Sequence, residues 1–394
     1  MSQREVVVVS GARTAIGDFG GSLKDVCPGD LGATVVAEAV KRAGIASEEV
    51  EHCVIGNVIH SERKDMYISR VAALRAGLSE KTPCLTVNRL CGSGLQSIIS
   101  ATQLIMLGDA NTAVAGGAES MSRAPYWLPT ARFGQRMGDG AIIDPMTGAL
   151  TCPMGDVHMG VTAENVAEQW GVSREDQDAL AVESHNRAER AVAEGRFDSQ
   201  IVPVEVKTRK GSVMVDKDEH IRAGARIDDM TKLRPAFKKD GSVTAGNASG
   251  INDGAAAVVL MERSLADEKG LKPLAKVAGY AFAALDPSIM GMGPVPAVKT
   301  LLARAGLTVA DIDVWEVNEA FAAQALAVCR DLDLPADKVN PNGSGISLGH
   351  PIGASGTIIA VKALYELQRV GGRYAVATMC IGGGQGIAVL FEAV

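Results

Sequence analysis

Short apolar runs bounded by glycine or polar residues recur at residues 6–9, 54–58, 112–115, 255–261, 314–317, 374–380 and 387–391. Their length and β-branched content predict buried strands. Helix-length stretches lie between them. Residues 95–107 are apolar nearly all round, which predicts a helix enclosed by the protein. Residues 357–367 carry Lys362 and Glu366, with Arg369 following on the same stripe, which predicts one solvated face. Strands alternating with helices in this way give an α/β architecture.

The two ends of the chain also repeat each other. RAGIASEEVEHCVIGN, residues 42–57, matches RAGLTVADIDVWEVN, residues 304–318, with a one-residue gap. SGLQSIISA from Ser93 pairs with SGTIIAVKA from Ser355, each followed by a glycine and a strand. An internal duplication explains both matches, and two similar halves facing each other would bring equivalent loops onto one shared surface. Between them, residues 121–250 shift toward charge and helix signals. Ser173 with Asp176 makes a capping-box-like start to an amphipathic stretch that runs through Glu194 to Gly195. This segment reads as an inserted lobe. Residues 207–239 within it carry ten basic residues against five acidic ones. They form either a solvated face or a seat for a polyanionic ligand.

Composition narrows the picture. The 394 residues are 47% hydrophobic but only 4% aromatic, so the core must be built from Ala, Val, Leu and Ile, in two or three packed units. A net charge of −7 argues against nucleic acid or an anionic membrane as partner. No apolar run approaches the roughly 20 residues of a membrane span, and the first residues lead straight into a strand-like segment, so a cytoplasmic location is expected. Seven cysteines, at 27, 53, 84, 91, 152, 329 and 380, are odd in number and form no CxxC pair. Neither a disulfide framework nor a metal site is expected, and Cys27, Cys53, Cys84 and Cys329 read as small buried hydrophobes.

Two cysteines stand apart. Cys91, in NRLCGSGLQSI, ends a strand-like segment and precedes the apolar helix, where unpaired amides and the helix dipole would lower its pKa and favour the nucleophilic thiolate. His350, in GHPIGASG, lies in the matching loop of the second half; within about 3 Å of the sulfur it would take the thiol proton or donate to an oxyanion. Cys380, in CIGGGQG, ends a strand whose glycines admit close backbone approach. Another strand follows, so the motif is a hairpin turn and not a phosphate loop. Asn318, in VNEAFAAQ, is either a helix N-cap or an orienting amide. TAGNASGINDGAA, residues 244–256, is a small-residue loop suited to backbone contact with a ligand.

NRLCGSGLQSI, GGAESMSRAPY, HMGVTAENVA, TAGNASGINDGAA, NEAFAAQ, GHPIGASG and CIGGGQG, in this order over essentially the whole chain, resemble the thiolase family: acetyl-CoA C-acetyltransferases and 3-ketoacyl-CoA thiolases. NPNGSGISLGHPIG looks particularly like bacterial β-ketothiolases. The resemblance implies a duplicated α/β fold, two βαβαβαββ halves in a layered α/β/α/β/α core. Residues 1–121, completed by 250–270, would form the first half, 122–249 an inserted CoA-binding lobe, and 271–394 the second half. It further implies that Cys91 is acylated, that His350 activates it, and that Cys380 moves the α-proton of the second acyl-CoA. Asn318, through a water, and His350 would form one oxyanion hole, and the amides of Cys91 and Gly382 the other. For CoA it points to Ser249, to Arg222 at the adenine-nucleotide end, and to Leu150, His158, Met230, Phe237, Ala245 and Phe321 along the pantetheine path. Asp229 departs from the small polar residue of many relatives, which bears on phosphate contact. No tightly bound cofactor and no metal is implied; acyl-CoA is the partner, and a homodimer or tetramer the assembly. A ketoacyl synthase would pair its cysteine with two histidines or a histidine and an asparagine, and Cys380 argues against that rival. A scaffold that only binds lipid would lack one of the four catalytic side chains, all present here.

Overall fold

The computed structural model describes residues 4–209 and 211–394. The first three residues of the N-terminal segment and Lys210 of the basic stretch lie outside it. The first half runs β1 (Val6–Arg13), α1 (Pro28–Ala43), β2 (His52–Gly56), α2 (Ile68–Arg75), β3 (Cys84–Val87), α3 (Ser93–Leu107) and β4 (Thr112–Ser120). The lobe follows, with α4 (Met159–Gln169) and α5 (Arg174–Ala193) as its main helices, and the chain re-enters the core as β5 (Asn252–Glu262). The second half is β6 (Ala275–Ala284), α6 (Pro294–Ala305), β7 (Val314–Val317), α7 (Ala322–Asp331), α8 (Ile352–Val370), β8 (Tyr374–Ile381) and β9 (Gln385–Glu392).

Strand order is β7-β8-β9-β6-β1-β5-β4-β2-β3. Outward from the middle, each half gives its first strand, then its last, then the parallel ones. The isolated parallel bridge Trp315↔Val339 stands where β3 lies in the first half. The halves join edge to edge through a short antiparallel ladder, Val7↔Lys276 and Val8↔Ala275. The repeat extends to local chemistry: α1 and α6 both end on a left-handed glycine, Gly44 and Gly306, at φ 68° and 67°.

Alternation along the strands builds the layers. In β5, Ala256, Val258 and Leu260 face a central core shared with α3 and α8, while Ala255, Ala257 and Val259 face α1. In β9, Ile387 and Val389 face that same central core, while Ala388 and Leu390 face α6 and α7. Strands buried on both faces read as continuous apolar runs, which is why they were legible in the sequence. The result is five layers, with α3 and α8 between the two half-sheets. By length and apolarity residues 90–107 would match a membrane span, but α3 packs as a core helix, with only its C-terminal Leu107 strongly exposed. β6 was not anticipated: its residues 277–284, VAGYAFAA, are an unbroken non-polar run, but one dominated by alanine and glycine, which carry little strand preference.

The solvated face expected of α8 is absent. Lys362 and Glu366 are 1% and 2% exposed; only Arg369 reaches solvent. Lys362 Nζ donates to Glu316 Oε2 (2.7 Å) and to the Gly343 carbonyl (2.5 Å), and Glu366 accepts from Asn342 (2.9 Å) and Arg369 (2.8 Å). A polar stripe on a central helix thus meets polar partners on β7 and the 340–343 loop and not water. Burial raises the Glu316 carboxyl to about 7 against the opposing pull of Lys362.

In the lobe, α5 begins where expected, with Ser173 Oγ accepting from Asp176 N (3.0 Å). A bidentate pair, Arg13 with Asp218 at 2.8 and 2.9 Å, both side chains buried, ties the lobe to β1. The described basic residues of 207–239 are all exposed. All seven cysteines are free. Cys53 is fully buried as expected, whereas Cys27, Cys84 and Cys329 are only partly so. Lys362→Met, leaving Glu316 buried without its partner, is expected to destabilise the protein by about 3–5 kcal/mol, with Glu316→Leu added to it restoring most of the loss. Urea unfolding reads this, and a single variant within about 1 kcal/mol of the parent would show the pair to be dispensable.

Candidate active site

The two helices of the duplication touch at their first turns. An added Cβ at Gly94 would collide with the backbone of Thr357, and one at Gly356 with the backbone of Leu95, so only glycine permits this approach. Thr357 Oγ1 donates to the Gly94 carbonyl (3.0 Å) across the junction. The loops that precede these helices, one bearing Cys91 and the other His350, are thereby brought to one place. Both residues line a cavity of about 310 Å³, together with Cys380 and Gly382. The structure thus places Cys91 and His350 on the wall of the same cavity.

Cys91 is presented by a tight strand-to-helix turn. Leu90 has φ 46°, a left-handed conformation costly for a branched side chain. Asn88 Oδ1 accepts from Leu90 N (2.9 Å), and Ser93 Oγ both accepts from Arg89 N (2.9 Å) and donates to the Leu90 carbonyl (2.7 Å), which holds the turn. The lowered thiol pKa expected from the helix N-terminus is not found. Burial outweighs the dipole and pushes Cys91 up to about 11, against backbone N–H groups of Gly382 and of Cys91 itself that favour the thiolate. Cys380, on β8, is raised far above the ordinary thiol range by burial and by its neighbour Cys91.

His350 supplies the complement. Ser355 Oγ donates to the Pro351 carbonyl (2.9 Å), so it accepts from His350 Nδ1–H (2.6 Å). This network assigns the proton to Nδ1 and leaves a lone pair on Nε2. Asn318 Nδ2 faces that nitrogen at 3.5 Å. Burial lowers His350 from about 6.5 to about 4, so the ring is neutral and able to accept a proton. Asn252 Oδ1 fixes the loop by accepting from His350 N (2.9 Å). Asn318 is no helix cap: α7 starts at Ala322 with Phe321 before it. Its neighbour Glu319 is anchored by Ser184 (2.6 Å) and Asn340 (2.9 Å), which locks the loop onto α5.

The cavity wall is apolar. Leu150, His158, Phe237, Ala245, Ser249 and Phe321 all line it. His158 stacks on Phe237 (centroids 4.7 Å apart, 15° between planes), and Phe321 meets Phe237 edge-on (6.0 Å, 86°). Met230 does not reach the wall; it is buried against Ala181, Ala322 and Ile346, behind Gly246 of the 244–256 loop. Arg222 is exposed and outside the cavity lining. Ser355 and Asn252 were missed as functional residues, though both stand in quoted motifs, because only folding shows which atoms they hold.

A cysteine thiol, a neutral imidazole, a second thiol and inward-facing amides on one largely apolar cavity define a cysteine-dependent acyl-transfer site. The family models "Thiolase, N-terminal domain" and "Thiolase, C-terminal domain" match residues 6–264 and 271–393. Beta-ketothiolase BktB of Cupriavidus necator is 64% identical over 390 residues, 99% of each chain. Acetyl-CoA acetyltransferase of Escherichia coli is 50% identical over 391 residues, again 99% of each. The crystal structure of human mitochondrial 3-ketoacyl-CoA thiolase superposes with a TM-score of 0.98 at 44% identity, covering 100% of both chains, and the same enzyme in complex with CoA gives 0.96, covering 100% of this chain and 98% of that one. The chain belongs to the thiolase family.

A His350 titration follows from its burial. The unfolded chain takes this proton near 6.5 and the folded one only near 4, so the residue's contribution to stability is intact above about pH 6.5 and is lost as pH falls toward 4. Ring-nitrogen NMR is expected to show a neutral, Nδ1-protonated imidazole at pH 5.5; an imidazolium at that pH would contradict the assignment.

Proposed function

We propose that Cys91 is the acyl-carrying nucleophile of a ping-pong thiolase reaction with CoA thioesters as substrates. In one direction CoA cleaves a 3-ketoacyl-CoA; in the other, two acetyl-CoA condense to acetoacetyl-CoA and CoA. The observation that carries this is the convergence of Cys91, His350, Cys380 and Gly382 on one apolar cavity.

The geometry supports a defined division of labour. As the Cys91 sulfur attacks the thioester carbon, its proton passes to His350 Nε2, and the departing CoA sulfur takes its proton from Cys380, which leaves Cys380 a thiolate and His350 protonated. The amides of Cys91 and Gly382 already face the Cys91 sulfur, which suits them to the carbonyl oxygen of the acyl group that Cys91 would carry. Asn318 and protonated His350 would serve the other carbonyl. One such donor is typically worth about 3–4 kcal/mol in the transition state. A thiolate at Cys380 would be strongly basic, which fits it to take a weakly acidic α-proton; its protonated resting form fits it to return one during thiolysis.

In this reading CoA comes and goes as a substrate and no group is held tightly. The pantetheine arm would lie along Leu150, His158, Phe237, Ala245, Ser249 and Phe321, with exposed Arg222 and its basic neighbours near the nucleotide end. The same reading carries a cytoplasmic location and a homodimeric or tetrameric assembly. The apolar wall and the likeness to a β-ketothiolase favour acyl chains beyond acetoacetyl. CoA-dependent cleavage of acetoacetyl-CoA and 3-ketohexanoyl-CoA is expected at comparable rates, falling about 10³-fold or more in Cys91→Ala. Cleavage of acetoacetyl-CoA alone would remove the longer chains from the proposal, and an active Cys91→Ala would remove the nucleophile.

A further inference from the structure

One fully buried carboxylate outside the reacting groups ties the two halves together at the level of the site. Glu119, next to last in β4, has no solvent exposure. Its Oε1 accepts from Asn57 Nδ2 (3.0 Å) and Ile59 N (3.1 Å). Its Oε2 accepts from Val58 N (3.0 Å) and Gly353 N (2.9 Å). Three of these donors belong to the loop after β2 in the first half. The fourth is a first-turn amide of α8, three residues after His350, in the second half.

The approach is as close as backbone allows. A Cβ on Gly353 would stand 2.5 Å from Glu119 Oε2 and 3.0 Å from Asn57 Cα, and one on Gly117 of the same strand would stand 2.8 Å from Ala354 Cα. Burial raises the Glu119 carboxyl to about 8, while the backbone N–H groups of Ile59, Val58 and Gly353 pull it toward the carboxylate. The loops it gathers furnish an apolar floor, Ile59 and Ile352 with Met121, against which Cys91 packs.

We infer that Glu119 is a positioning residue: by holding Gly353 and the 57–59 loop on one carboxylate, it fixes the His350 loop in register with Cys91. It touches neither sulfur nor imidazole; it acts through the backbone it holds, and its charge, felt at a distance, adds a small upward push to the Cys91 thiol. This rests on the thiolase reading of Cys91 and His350. Displacing a reacting pair by about 1 Å costs on the order of 10²-fold in rate. Glu119→Gln keeps the shape but turns an amide NH₂ toward donors that need an acceptor.

The test compares wild type, His350→Ala, Glu119→Gln and Asn57→Ala in acetoacetyl-CoA thiolysis, with iodoacetamide alkylation of Cys91 followed by intact mass. Glu119→Gln is expected to lower kcat about 30- to 100-fold, with KM for CoA and the alkylation rate within about threefold of wild type. A merely structural role would move KM, alkylation and kcat together. Asn57→Ala, which removes one of four donors and keeps the carboxylate, is expected to lower kcat about three- to tenfold, and it carries the test if the first variant does not fold. Wild-type kcat in both variants, or parallel loss of KM, kcat and alkylation, overturns the inference. An active His350→Ala would instead overturn the reading on which it rests.

Discussion

Everything at the site depends on the contact between two helix first turns at Gly94 and Gly356. Backbone packs on backbone there, so the two helices act as one rigid block between the half-sheets. Each helix is preceded by a loop that carries one reacting side chain. Their relative position is therefore set by van der Waals contact between main chains, which has little play, and not by flexible side chains. The Thr357 bond to the Gly94 carbonyl and the Glu119 clamp on Gly353 act across the same junction.

That enclosed arrangement decides the protonation states. A thiol at a helix N-terminus in water would ionise readily, but here desolvation is the larger effect and Cys91 stays protonated. The same desolvation keeps His350 neutral, with Ser355 fixing its tautomer. A resting thiol and a neutral imidazole on one apolar cavity wall are uncharged, and in the proposed reaction charge develops only when the proton moves during attack. In the proposed reaction the cost of separating charge falls on the transition state, which the amides of Gly382 and Cys91 and the side chain of Asn318 would stabilise.

The second half tolerates buried ions for a related reason. Lys362 pairs with Glu316 through Oε2, with Oε1 buried and unpartnered, Glu366 accepts from Asn342 and Arg369, and Glu319 is held by Ser184 and Asn340. These networks fix α8, β7 and the NEAF loop relative to one another, and so the placement of Asn318 against His350. They occupy the side of α8 turned toward β7, away from the first half.

Local pattern was enough to specify the strands buried on both faces, the enclosed helix 95–107, the duplication, and the motifs holding Cys91, His350, Cys380 and Asn318. Each depends on local pattern or on residue identity at a glycine-rich turn, which one strand of text records. What only the tertiary structure decided was the environment of each group. The polar stripe of α8 gives the same pattern whether water or a buried lysine-binding carboxylate faces it. Met230 was expected along the pantetheine path, yet it packs behind Gly246, off the cavity wall. The thiol pKa reversed its expected direction because desolvation is a sum over every neighbouring atom, most of them far away along the chain. Glu119 stands in GGAESMSRAPY, but its grip on the opposite half exists only once folding brings Gly353 to it.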